Sequence, residues 1–150
     1  MKTYADCSFL MALLREQPNS PQATAYYEHL GEQLDLSWLL VFEFEQGVRF
    51  QMFRHRHDPT TGIPEGEGIN MLVKFDDALE RRALRIVPVE LRALVAKART
   101  LSERHTLGAG HRTFDILHVA TALVLGATEF CTFDANQRDL AEAEGLTVPL

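Results

Sequence analysis

Residues 112–148 read RTFDILHVATALVLGATEFCTFDANQRDLAEAEGLTV, and this stretch decides the fold class. Residues 113–125 are strongly apolar and long enough for a helix, and Gly126 follows as the stop. Residues 128–133 are a short apolar run that reads as a buried strand. Residues 135–144 predict a second helix ended by Gly145, and residues 146–148 a last strand. Helix, strand, helix and strand in succession imply a parallel sheet covered on both faces, with right-handed crossovers.

The same alternation extends back to the start. Residues 3–6 read as a strand and residues 8–16 as a helix, with Leu10, Leu13 and Leu14 at helical spacing. Ser20 followed by Pro21 predicts a helix start, Ser as cap and Pro at the first position, with the helix running to about Gly31. Residues 36–40 are a second strand candidate. The chain turns helical near Val41, where Phe44, Val48 and Met52 share a face. Residues 55–68, HRHDPTTGIPEGEG, predict a long loop rich in Pro, Gly and charge, and the segment most apt to move. A helix over 69–81, a strand over 83–89 closed by Pro88 and a helix over 90–105 complete the pattern.

At 150 residues the chain has the size of one ordinary domain. Its 46% hydrophobic and 24% charged residues suit a globular protein. The formal net charge of −6 argues against a broad basic surface that coats DNA. It leaves a nuclease open, because acidic ligands enter that count and a bound divalent ion reverses the local sign. Two cysteines, Cys7 and Cys131, make no disulfide framework. The opening MKTYADCSFLMALL does not read as a signal peptide, and no stretch approaches a membrane span, so a cytoplasmic location is the expectation.

Four acids sit where a strand pattern gives way to a helix or turn: Asp6, Glu43, Asp115 and Asp134. Each lies in or beside an apolar run, where a carboxylate is costly without a partner. Each also has an ordinary explanation. Asp6 reads as a helix cap, Asp115 as an acid favoured by a helix N-terminus beside Arg112, and Asp134 with Gln137 as a capping box. Glu45 competes with Glu43, but Glu45 has Arg49 four residues on as an ion-pair partner, which favours Glu43 as the unexplained acid. If a parallel sheet gathers the four acids along one edge, their mutual repulsion calls for a cation, and oxygen-only ligands suit Mg²⁺ or Mn²⁺.

These segments resemble the PIN-domain family, and in particular the VapC-type ribonuclease toxins. The opening YADCSFLMALL is similar to the family's strand–Asp–x–Ser–helix start, and LSWLLVFEFEQGVR to its strand–Glu helix. The C-terminal stretch carries the most specific match: Asp-x-x-His-x-Ala, Gly-Ala, Thr-x-Asp, then a helix ending in Gly. The resemblance implies a three-layer α/β/α fold with a central parallel sheet of about four or five strands. It assigns Asp6, Glu43, Asp115 and Asp134 to the acidic metal and catalytic site, with Ser8 and Thr132 as supporting polar positions. It implies an Mg²⁺- or Mn²⁺-dependent endoribonuclease in which a metal-activated water attacks an RNA phosphodiester. An antitoxin protein and a homodimer are the implied partners. Two other readings stay open, a PIN-like module that binds RNA or protein without cutting and a DNA or flap nuclease.

Arg54 and Arg56, in the densest basic stretch, and Arg112, beside Asp115, are candidates to hold substrate phosphates. Cys7 here stands where the family commonly has Thr. His118, three residues after Asp115, reads as a structural histidine, and no Cys-x-x-Cys spacing supports zinc.

Overall fold

The computed structural model describes residues 3–31 and 33–150. In chain order the elements are β1 (Thr3–Ala5), α1 (Cys7–Leu14), α2 (Ser20–Leu30), β2 (Leu34–Leu36), α3 (Trp38–His57), α4 (Glu65–Glu80), β3 (Leu84–Ile86), α5 (Leu91–Leu101), α6 (Leu107–Ala109), α7 (Thr113–Val124), β4 (Glu129–Cys131) and α8 (Ala135–Ala143). A π-helical turn, Ser102–Thr106, joins α5 to α6. β1 pairs in parallel with β4, and β2 pairs in parallel with β3. β1 and β2 lie against each other, which gives the lateral order β3-β2-β1-β4. The expected last strand is reduced to one parallel bridge between Thr147 and Glu129.

Strand alternation divides the core in two. Ala5 and Cys131 point to one face with Leu34, Leu36 and Leu84, under Phe9, Phe44, Met71 and Phe75 from α1, α3 and α4. Tyr4 and Phe130 point to the other face, under Leu94, Val119 and Leu140 from α5, α7 and α8. One residue along a strand changes sheet face, so these two sets give the three-layer α/β/α arrangement directly. Phe44 and Phe75 meet at 4.8 Å between ring centroids. Burying each contributes about 1.5–3 kcal/mol. The second layer does not reach β2 and β3, where Asp35 and Arg85 close a bidentate pair at 2.6 and 2.8 Å instead.

Four expectations need correction. The strand expected over 36–40 is β2, Leu34–Leu36. Ser37 caps α3, its Oγ accepting from the Leu40 amide at 3.2 Å, so Leu40 is helical. An apolar run such as LSWLLV does not distinguish strand from helix, and the cap decides. The loop expected over 55–68 shrinks to residues 58–64, because α3 continues through the basic run to His57 and α4 begins at Glu65. Those charges suit the ends they occupy, cations at a helix C-terminus and carboxylates at an N-terminus. The short loop is fastened to α3: the amide of buried Ile63 donates to the Gln51 carbonyl at 3.2 Å. Gly62 lies at φ +68°, where any Cβ would strike the backbone of Gln51. Ser20 is not the cap of α2. Its hydroxyl closes the preceding turn, donating to the Arg15 carbonyl at 2.7 Å, and Asn19 holds the cap position. Finally, the helix expected over 90–105 is α5 followed by the π turn.

Candidate acidic active site

The C-terminal ends of β1, β2 and β4 open onto one edge, the place where parallel α/β sheets hold their ligands. Asp6 follows β1 and caps α1. Its side chain is fully buried. Oδ1 accepts from Ser8 Oγ at 2.7 Å and from the Phe9 amide at 3.0 Å, and Oδ2 accepts from Thr132 Oγ1 at 2.6 Å. Ser8 and Thr132 therefore orient Asp6. They also tie in the end of β4: Ser8 Oγ accepts from the Phe133 amide at 2.8 Å, and Thr132 Oγ1 from the Asp134 amide at 2.9 Å. Burial raises the Asp6 pKa above the ordinary carboxylate range. The bonds from Thr132, Ser8 and Phe9, and the nearby His118, offset part of that rise.

Glu43 is positioned differently. It stands on α3, partly exposed, and its Oε2 lies 2.6 Å from Nε2 of His118 on α7. His118 is wholly buried. Its Nδ1 lies 2.9 Å from the Tyr4 hydroxyl, which lies 2.9 Å from Ser37 Oγ. The Glu43 carboxylate can only accept, so Nε2–H donates to it; a ring protonated on Nε2 alone accepts at Nδ1 from Tyr4, whose hydroxyl in turn accepts from Ser37 Oγ. Burial pushes the Tyr4 hydroxyl pKa well above its usual value, and Asp6 and Glu43 push the same way, so Tyr4 keeps the proton it donates. Glu45 points elsewhere and pairs with Arg49 at 2.9 Å.

Asp115 lies in the first turn of α7 and is buried. Its Oδ2 accepts from the Arg112 amide at 2.8 Å, and the Arg112 guanidinium stands 3.8 Å away. Glu43 and Asp115 line one open cleft with Arg112, Thr113 and Phe114. Asp134 caps α8 through Oδ1, which accepts from the amides of Asn136 and Gln137 at 2.8 and 3.1 Å. Its amide donates to Thr132 Oγ1, which in turn donates to Asp6.

Cys7 marks where the two buried-edge acids converge. Burial raises its thiol pKa most, and the charges of Glu43 and then Asp6 raise it further. Burial likewise pushes Cys131 up to about 12. Both thiols are held toward the protonated form, which does not suit a nucleophile. Arg54 and Arg56 are not brought to this edge. They lie 11 and 13 residues beyond Glu43 on α3, about 16–20 Å along the axis at 1.5 Å per residue. Arg56 already pairs with Glu65 at 2.7 Å.

Each of the four acids keeps acceptor capacity. A carboxylate has about four acceptor positions. Asp6 uses two on Oδ1 and one on Oδ2. The bonds described leave the second oxygen of Glu43, Asp115 and Asp134 without a protein partner. Among the described residues, however, no three His, Cys, Asp or Glu side chains are gathered closely enough to enclose a metal ion. The donor type fits Mg²⁺ or Mn²⁺, which bind through one or two carboxylates and keep several waters.

Sequence reasoning set His118 aside as structural and missed Tyr4 and Ser37. The available signal was the Asp-x-x-His spacing, which puts Asp115 and His118 on one side of α7.

The fold is a parallel α/β/α domain in which Asp6 and Asp134 follow β1 and β4 and Glu43 and Asp115 share one cleft. The chain belongs to the PIN-domain family: the PIN domain model matches residues 3–143. Members of this family are generally nucleases. No curated protein matches the chain by sequence. Two solved structures share its fold. FitAcB from Neisseria gonorrhoeae is 23% identical with a TM-score of 0.65, covering 99% of this chain and 96% of its own. FitAB bound to an IR36 DNA fragment is 20% identical with a TM-score of 0.62, covering 99% of this chain and 93% of its own. Among the described residues no helix is long and apolar enough to cross a membrane.

Proposed function

We propose that this protein is a divalent-metal-dependent endoribonuclease of the VapC type, the toxin half of a toxin–antitoxin pair. The observation that carries the catalytic reading is the chain Ser37–Tyr4–His118–Glu43. Three residues, Ser37, Tyr4 and His118, stand in line behind one carboxylate at the mouth of a cleft, and the wholly buried His118 makes the last contact to it. Support also comes from the unused acceptor positions on all four acids and from the exposed guanidinium of Arg112 beside Asp115.

In this reading Asp6, Glu43, Asp115 and Asp134 hold the cation. Mg²⁺ or Mn²⁺ bound there would lower the pKa of its water and offset the charge that builds on the attacked phosphate. Ser8 and Thr132 fix the rotamer of Asp6, and the Arg112 amide fixes that of Asp115. His118 keeps one oxygen of Glu43 occupied and the other turned outward. Arg112 is placed to take a phosphate oxygen at the cleft rim. Products with a 5′-phosphate and a 3′-hydroxyl are expected, with no covalent intermediate. Trp38, Phe42, Phe50 and Phe53 are exposed on α3, an apolar surface of the kind that a homodimer or an antitoxin covers.

The test is cleavage of a pool of structured RNAs with Mg²⁺, Mn²⁺ or EDTA, by wild type and Asp115→Asn purified identically. Single-stranded and duplex DNA run beside the RNA, because one similar structure holds DNA. Metal-dependent RNA cutting that disappears in the mutant supports the proposal. Equal cutting by both proteins, or cutting of DNA alone, overturns it.

A further inference from the structure

Behind the acidic cleft, a second pocket opens between α5, the π turn and the start of α7. Its volume is about 340 Å³, within the range of small-ligand sites. Arg99, Ser102 and Arg112 stand exposed at its rim. Among the described residues Arg99 has no carboxylate partner, and no Asp or Glu lines the pocket. Inside it, His111 is 92% buried and its Nδ1 has no hydrogen-bond partner. A buried polar nitrogen without a partner is costly, and a ligand group inside this pocket would supply one.

The rest of the lining suits a ligand with a charged end and a flat apolar end. Thr106 adds a hydroxyl next to Ser102. Ala98, Ile116 and Leu117 form an apolar wall. The π turn widens the helix where these hydroxyls stand, a distortion often found at functional sites. Two of its own side chains are engaged by one carboxylate, Arg104 and His105 each 2.7 Å from Oε1 of Glu144, and the His105 ring lies edge-on to that of His111 with centroids 6.5 Å apart. Arg99, with no carboxylate partner among the described residues, favours an anion over a metal ion here, and Arg112 adds a second guanidinium whose charge is shared with Asp115 at 3.8 Å.

We propose that this pocket binds one nucleotide of the substrate strand, its phosphate between Arg99 and Arg112 and its base against Ala98, Ile116 and Leu117 beside His111. Naming the ligand as a nucleotide rests on the nuclease reading. Geometry supplies the link, because Arg112 and Thr113 line both this pocket and the cleft of Glu43 and Asp115. A strand crossing that cleft would place a flanking nucleotide here, and the site would then set affinity and base preference next to the cut.

The test is titration of the full-length protein with adenosine 5′-monophosphate and uridine 5′-monophosphate in EDTA, reading the histidine ring resonances by NMR. The proposal expects saturable shifts of the His111 ring with at least one of the two. Arg99→Gln, an exposed change that leaves the core intact, should weaken the binding about tenfold, and Glu45→Gln, at a position that lines neither this pocket nor the cleft, should leave it unchanged. No saturable shift at millimolar nucleotide, or equal binding by Arg99→Gln, overturns it. The titration uses no metal and no cleavage, so binding without RNA cleavage would sink the nuclease reading and keep the pocket. Cleavage without binding would do the reverse.

Discussion

Asp6 is held by its near neighbours Ser8 and Phe9 and by Thr132, which follows the adjoining strand. Glu43 is held by one residue, His118, which is 75 positions away and itself rests on Tyr4 and Ser37. The first arrangement is closed and desolvated, and the second opens on solvent. The contrast teaches that this edge has a closed half, built largely from caps, and an open half, built from tertiary contacts.

The largest expected effect lies in the open half. Glu43→Gln should lower RNA cleavage at least about a hundredfold, as expected when a transition-state charge partner is lost. Glu45→Gln should leave cleavage within about twofold, because it breaks only an exposed pair with Arg49. Single-turnover rates of the two variants decide this, and the reverse order would move the site to Glu45.

A middle-sized effect is expected at the support. His118→Leu removes the donor to Glu43 and should weaken Mn²⁺ binding about 10–100-fold, the usual consequence of losing a partner behind a ligand. His118→Gln keeps an N–H in reach of Glu43 and should recover part of that affinity. Calorimetry on both variants separates positioning from packing: equal losses would mean that His118 only fills space.

The smallest effect belongs to the closed half and is one of stability. The folded pKa of Asp6 is raised, so the folded state binds its proton more tightly than the unfolded chain does. Its cost is absent at pH below the ordinary Asp value near 3.9, grows as pH rises to the raised pKa, and is constant above it. Metal-free Asp6→Asn should therefore melt higher than wild type at neutral pH, by about 2–4 °C for each kcal/mol relieved. The difference should shrink as the pH is lowered. A melting temperature that is unchanged at pH 7 would show that the bonds from Ser8, Phe9 and Thr132 already cancel the burial cost.

The same division explains what could be read from the chain. The caps at Asp6 and Asp134 and the stops at Gly126 and Gly145 are local signals, and the structure keeps them. The alternation of strands and helices likewise gave the parallel α/β/α architecture. Ser37 shows the limit. Inside the apolar run LSWLLV it reads equally well within a strand, until β3 pairs with Leu34–Leu36 and leaves Ser37 to cap α3. The Asp-x-x-His spacing puts His118 on the side of Asp115, but its partners Tyr4 and Glu43 come from β1 and α3 and meet it only in the folded chain. The run at residues 55–68 misled because its Pro and Gly suggest a loop, while its charges fit the two helix ends that occupy half of it.

Anomalous scattering from Mn²⁺-soaked crystals of the wild-type protein tests the central claim most directly. The account predicts a peak whose nearest protein atoms are carboxylate oxygens drawn from Asp6, Glu43, Asp115 and Asp134, at the mouth of the cleft. An empty cleft with ordered, metal-free carboxylates, or a manganese ion held only by other residues, would contradict it.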